Sequence, residues 1–122
     1  MNREEWIQFC LSCGDVYEDY PFDDEVNANA WAVIRHRGNR KAFVLIYQRE
    51  GLCLNVKCDP LRADFLRGYY IGIIPGFHMN KKHWNTMMTD QDVPDDEIKN
   101  LIVHSFDLTK PKISRKPSGC SG

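Results

Sequence analysis

The chain has 122 residues, 43% of them hydrophobic and 27% charged, enough for one domain with a core of its own and too few for a second. Sixteen basic residues against 17 acidic ones leave a formal net charge of −1, which excludes a protein drawn to nucleic acid by its overall charge. Any such affinity must come from local segregation of charge.

Segregation is visible along the chain. Residues 15–25 hold six acids and no base, whereas residues 35–41 hold Arg35, Arg37, Arg40 and Lys41 and no acid. Residues 90–97 add five acids, and residues 110–116 add four bases. No apolar run approaches the ~18 residues of a membrane span, so no membrane partner is expected. The opening Met1-Asn2-Arg3-Glu4-Glu5 lacks the apolar stretch of a secretory signal, which makes the cytoplasm the expected address. Five irregularly spaced cysteines fit a reducing compartment better than a disulfide framework.

In chain order, residues 2–13 predict an amphipathic helix, because Trp6, Phe9, Cys10 and Cys13 recur at helical spacing and Gly14 stands at the C-cap. The acidic segment that follows reads as loop. Apolar runs at 31–34 and 42–47, joined by a basic link containing Gly38-Asn39, predict a β-hairpin. After Glu50-Gly51 a third strand is expected, with Leu52, Leu54, Val56 and Cys58 on a buried face and Cys53, Asn55 and Lys57 on a wet one.

Asp59-Pro60 opens a second helix, with Asp59 as N-cap; Leu61, Phe65 and Tyr69 are its expected apolar side and Gly68 a possible end. An extended segment over 70–74, a turn at Pro75-Gly76 and a strand over 84–88 follow. Pro94-Asp95-Asp96-Glu97 opens the last helix with acids at its positive end, and Ile98, Leu101, Ile102 and Ser105 mark its inner side. From Thr109 the composition turns to Lys, Pro, Ser and Gly. A disordered basic tail over 109–122 is therefore expected behind a domain over 1–108. The implied fold is α+β, a single antiparallel sheet with helices packed on one face, in the order α-β-β-β-α-β(-β)-α.

Over residues 1–108 the chain resembles the MmcQ/YjbR family. The resemblance is carried by the alternating strand ending Lys57-Cys58-Asp59-Pro60, by the helix containing Arg62-Ala63-Asp64 and Leu66-Arg67, and by a tyrosine followed by Ile73-Ile74-Pro75-Gly76. It continues through His78-Met79-Asn80-Lys81-Lys82-His83-Trp84-Asn85-Thr86. It implies a CyaY-like (frataxin-like) fold and DNA binding through two wing-like projections.

Read on their own, two segments suit nucleic acid. In the link Arg35-His36-Arg37-Gly38-Asn39-Arg40-Lys41, cations at the tip of a two-stranded ribbon can contact phosphates; the same charges also suit a hairpin tip that is merely soluble. In the loop over 78–85, Lys81 and Lys82 supply charge and His78, Asn80, His83 and Asn85 supply hydrogen-bonding groups. Trp84 is expected to plug the core rather than to stack on a base. Lys57 and Asn55 are expected to extend a polar surface across the open sheet face, and Arg62 and Arg67 either extend it or, as the default expectation, pair with Asp59 and Asp64.

Cys10 and Cys13 read as small buried hydrophobes, since no second ligand pair at zinc-site spacing accompanies them, and Cys53 and Cys58 point to opposite faces. No cofactor, no bound metal and no catalytic constellation is expected. The expected partner is DNA, bound with weak sequence preference. Two alternatives stay open: a regulatory module holding a protein partner on the open sheet face, and a frataxin-like metal binder using the acids of residues 15–25.

Overall fold

The computed structural model describes residues 1–23, 25–27 and 29–112. Its elements are α1 (Arg3–Leu11), β1 (Val16–Asp19), β2 (Ala32–His36), β3 (Ala42–Gln48), β4 (Leu52–Lys57), α2 (Pro60–Tyr69), β5 (Ile73–Pro75), β6 (Trp84–Met88) and α3 (Asp95–Thr109). The strands form one antiparallel sheet in the order β1-β2-β3-β4-β6-β5. All three helices feed one hydrophobic core against the sheet. The fold class and the one-sided layering are those the sequence implies.

Strand alternation sets the buried face. Ile34 is in register with Val44, Ile46 with Leu54, and Leu54 with Met87, and all five side chains join Trp6, Ala63 and Leu101 in the core. Cys58 joins the same core while Cys53 lies across the sheet, as their parity requires. Each helix begins where local chemistry predicts. Asn2 and Glu5 form a reciprocal capping box on α1, the Asp59 carboxylate accepts from the Arg62 N–H ahead of Pro60, and three acids occupy the first turn of α3. The β3–β4 turn places Glu50 and Gly51 at positive φ, 51° and 119°. A Cβ on Gly51 would also press on the Asp90 carboxylate, so glycine is required there.

Three expectations are corrected. The acidic segment is not all loop, because β1 pairs with β2 along Val16–Asp19. Its burial shows no alternation, since Val16 is buried while Glu18 on the same face is exposed, and its acids suit an edge strand that must not recruit another chain. In α2, Gly68 lies inside the helix, and the buried residues are Ala63 and Leu66; Leu61, Phe65 and Tyr69 are 84%, 66% and 66% exposed. Lastly, α3 runs on through Thr109, which is buried. The expected tail otherwise lies, from residue 113, outside the described residues.

Thr109 has a specific task. Its hydroxyl meets His36 Nε2 at 2.8 Å and donates to the Ser105 carbonyl, so it accepts from the His36 Nε2–H. The imidazole lies between Phe43 and Phe106. Burial pushes its pKa below the usual 6.5, partly offset by a hydrogen bond with the Phe106 backbone, and burial lowers His104 in the same direction. The unfolded chain therefore takes up these protons more readily than the folded one. The stability they contribute is present above about pH 6.5 and is lost as pH falls through the folded values. Thermal melts should show Tm falling from pH 7.5 to pH 5, about the histidine range, with a shallower fall in His36→Phe. An unchanged slope in that variant would remove His36 from the explanation.

Candidate nucleic-acid interface

The sheet register gathers most of the candidate cations at one end. His36 closes β2 and is bonded through its N–H to the Lys41 carbonyl. Lys57 ends β4 directly opposite Trp84, the first residue of β6, and the Cys58 N–H donates to the His83 carbonyl. Pro75 at the end of β5 is in register with Asn85. With strands ~4.8 Å apart, the start of β3 and the start of β6 lie only about 10 Å from each other. Thus the hairpin tip, Lys57 and the 81–83 segment form one rim.

On the hairpin, Arg40 takes a left-handed φ of 62° and its N–H donates to the His36 carbonyl at 2.8 Å. Asn39 accepts from the Lys41 N–H and donates to the Thr109 carbonyl, clamping the tip to the end of α3. Two arginines are already engaged. Arg35 pairs with Asp19 at 2.8 Å and Arg37 with Asp15 at 3.1 Å, the second pair largely exposed. Tyr17, Asp19, Arg35, Arg37 and Arg40 line an open cleft of about 480 Å³, with the Arg37 guanidinium 5.4 Å from the Tyr17 ring centre. Among the described residues, Arg40, Lys41, Lys57, Lys81 and Lys82 form no ion pair. Of these five, Lys81 donates its Nζ to the Gly76 carbonyl at 3.1 Å. Lys110 and Lys112 share a neighbouring cleft with Asn39 and Lys41.

The loop over 76–83 folds back over the sheet face opposite the helices, through a closed ring of hydrogen bonds. The Phe77 N–H donates to Thr86 Oγ1 at 2.9 Å, Thr86 donates to Asn55 Oδ1 at 2.6 Å, and Asn55 Nδ2 returns to the Phe77 carbonyl at 2.9 Å. The Tyr47 hydroxyl adds a further bond to Asn55 Oδ1 at 2.7 Å, and burial pushes its pKa up to about 12. Above this ring Trp31 stacks on Tyr47 at 3.9 Å, and Arg49 caps Phe77 at 3.9 Å.

Arg67 fastens the far side of the loop. It donates to Asn85 Oδ1 at 2.6 Å, to the Trp84 carbonyl at 3.2 Å and to the Lys81 carbonyl. Gly76 lets the strand end approach, since a Cβ there would lie 2.9 Å from the Trp84 carbonyl oxygen. Asn80 turns the chain by accepting from the Lys82 N–H.

These placements revise several sequence expectations. Asn55 and Asn85 are buried, the first under Phe77 and the second bonded to Ala63 and Arg67, so neither is a contact group. Trp84 is half-buried and stands outside the core cluster, on the sheet face it shares with Lys57. His78, at φ 61°, packs beside Phe77 and Trp31, away from the cationic rim. Arg67 holds the loop instead of pairing with an acid of its own helix. Cys10 is fully buried. Burial raises the pKa of Cys10, Cys13, Cys53 and Cys58 alike. Among the described residues no group of three or more His, Cys, Asp or Glu is placed to hold a metal, and no helix is long and apolar enough to cross a membrane.

Sequence reasoning missed Tyr17, the pairing of Asp15 and Asp19 with the hairpin, and the anchoring role of Arg67. The acids at 15 and 19 have the spacing of alternate positions on one strand, a signal hidden when the segment is read as loop.

A small α+β sheet protein with a basic rim on one sheet end is thus defined. The YjbR family model matches residues 11–108, and the chain belongs to that family. It is 39% identical over 121 residues to the uncharacterised protein YyaQ of Bacillus subtilis, covering 90% of this chain and 99% of that one. It is 25% identical over 107 residues to the uncharacterised protein YjbR of Escherichia coli K12, covering 87% and 85%. A crystal structure of a Pseudomonas syringae protein superposes with a TM-score of 0.76 at 30% identity, covering 89% of this chain and 99% of that one. A Deinococcus radiodurans protein described by the domain DUF419 gives 0.74 at 30% identity, covering 86% and 75%.

Proposed function

We propose that this protein binds nucleic acid, DNA in the first instance, through phosphate contacts along the rim formed by Arg40, Lys41, Lys57, Lys81 and Lys82. The observation that carries the proposal is the strand register, which brings two basic segments some 40 residues apart to one end of the sheet with Lys57 between them. Phosphate contacts fix position without reading bases, so sequence preference is weak. The half-buried Trp84 ring beside Lys57 offers a surface for an unpaired base. Binding rather than catalysis is the proposed activity. Raised thiol pKa values leave no activated cysteine among the described ones. The rival site for a protein partner, the sheet face opposite the helices, is covered in its middle by Phe77 and Trp31.

Fluorescence anisotropy with random duplex and single-stranded oligonucleotides tests the proposal. Four to five phosphate contacts predict a slope of log K against log salt of about −4 for duplex, a loss of roughly 200-fold between 50 and 200 mM salt. Arg40→Ala with Lys41→Ala should flatten the slope by about two units and weaken all sequences alike. Absence of binding to either oligonucleotide at low salt, or an unchanged slope in the double variant, defeats the proposal.

A further inference from the structure

Helix α2 turns its larger apolar face away from the protein. Leu61, Phe65 and Tyr69 recur at i, i+4 and i+8, all well exposed, and Ile71 just beyond them is 77% exposed. The Phe65 and Tyr69 rings lie nearly parallel, 5.9 Å apart with 15° between their planes, so the face is a continuous ridge. Its exposed apolar area is on the order of 400 Å², as large as the largest patch on an ordinary monomer. With a polar border it would supply the apolar centre of a standard interface, which buries ~800 Å² on each partner.

Two further features say what covers it. Gly68 lies on the same face, i+7 from Leu61 and i+3 from Phe65, and a Cβ built there meets nothing within 4 Å. The fold therefore does not require glycine at this position, and glycine weakens a helix relative to alanine. Its effect is a notch in the ridge that admits the close approach of a facing helix. At 100° per residue, Arg62 flanks one side of the ridge and Asp64 the other. Both are exposed and neither forms an ion pair among the described residues.

We propose that the ridge is a homodimer interface, in which α2 packs parallel to α2 of a second copy. Opposite charges on the two flanks make the face complementary to itself in that orientation. About a twofold axis running along the helices, Arg62 of each copy faces Asp64 of the other, Phe65 meets Phe65, and the two Gly68 notches let the C-terminal turns close. The antiparallel arrangement sets Arg62 toward Arg62 and Asp64 toward Asp64. The proposal is independent of nucleic-acid binding, because it uses none of the rim cations.

Sedimentation equilibrium of the full chain over about 1 to 500 µM decides it. The wild type should move from 14.2 kDa toward twice that mass. Phe65→Glu, at an exposed position, should keep its circular dichroism spectrum and melting temperature while weakening association at least about 30-fold. Arg62→Asp and Asp64→Arg should each weaken association, and the two together should restore it, which nonspecific apolar aggregation would not do. A wild-type mass of one chain at every concentration hands the ridge to a different partner and overturns the proposal. So does a double swap as weak as the two singles combined.

Discussion

Asn55→Ala is expected to cost about 3–5 kcal/mol. Asn55 is fully buried, and its amide bonds Tyr47, Thr86 and Phe77 together in the hydrogen-bonded ring. Truncation leaves the Tyr47 and Thr86 hydroxyls and the Phe77 carbonyl without this partner under a covering loop, at about 1–3 kcal/mol for each group that finds no other. For a domain of this size that is a fall in Tm of roughly 12 °C or more. Tyr47→Phe should cost only about 1 kcal/mol, because Asn55 Oδ1 keeps Thr86 as its donor. Urea melts of both variants separate the outcomes. If Asn55→Ala loses less than Tyr47→Phe, the ring is not what holds the loop over 76–83 to the sheet.

Arg67→Ala should be the next most damaging change to the site, at about 2–3 kcal/mol, since charge-assisted bonds to Asn85 and to two loop carbonyls go together. The effect is local in origin. Amide hydrogen exchange over residues 80–86 should rise, and nucleic-acid affinity should fall even though Arg67 is not a rim cation. Arg67→Lys should recover little, because an ammonium cannot reproduce the guanidinium fork. Unchanged exchange in Arg67→Ala would mean that the Asn80 turn and Phe77 hold the segment without it.

The parts legible in the sequence are those where one neighbour decides the structure. Alternation from Leu52 to Cys58 gives β4 and its buried face, Asp59-Pro60 gives the start of α2, and Ile98, Leu101, Ile102 and Ser105 give the inner side of α3. The orientation of α2 was not legible, because both its faces are apolar and the larger one points outward. Ala63 lies against the sheet side, with its carbonyl accepting from Asn85, and its small side chain lets the helix approach closely. Asn55 and Asn85 were misplaced for a different reason. Parity says which side of a strand a residue takes, whereas burial here depends on a loop more than 20 residues away and on Arg67. The basic rim was half legible: its residues were named, but the pairing of Arg35 and Arg37 with Asp19 and Asp15 needs β1, which the acids concealed.

The contact between His36, Asn39 and Thr109 bears on how this chain can be dissected. The family pattern spans residues 11–108, yet the hydroxyl that partners His36 and the carbonyl that partners Asn39 both belong to Thr109. At the other end, Trp6, Ile7 and Cys10 precede the pattern while filling the core. A fragment cut to the pattern would open a hole under the sheet and strand a buried imidazole. A fragment that keeps these contacts runs from the capping box at Asn2 through Thr109.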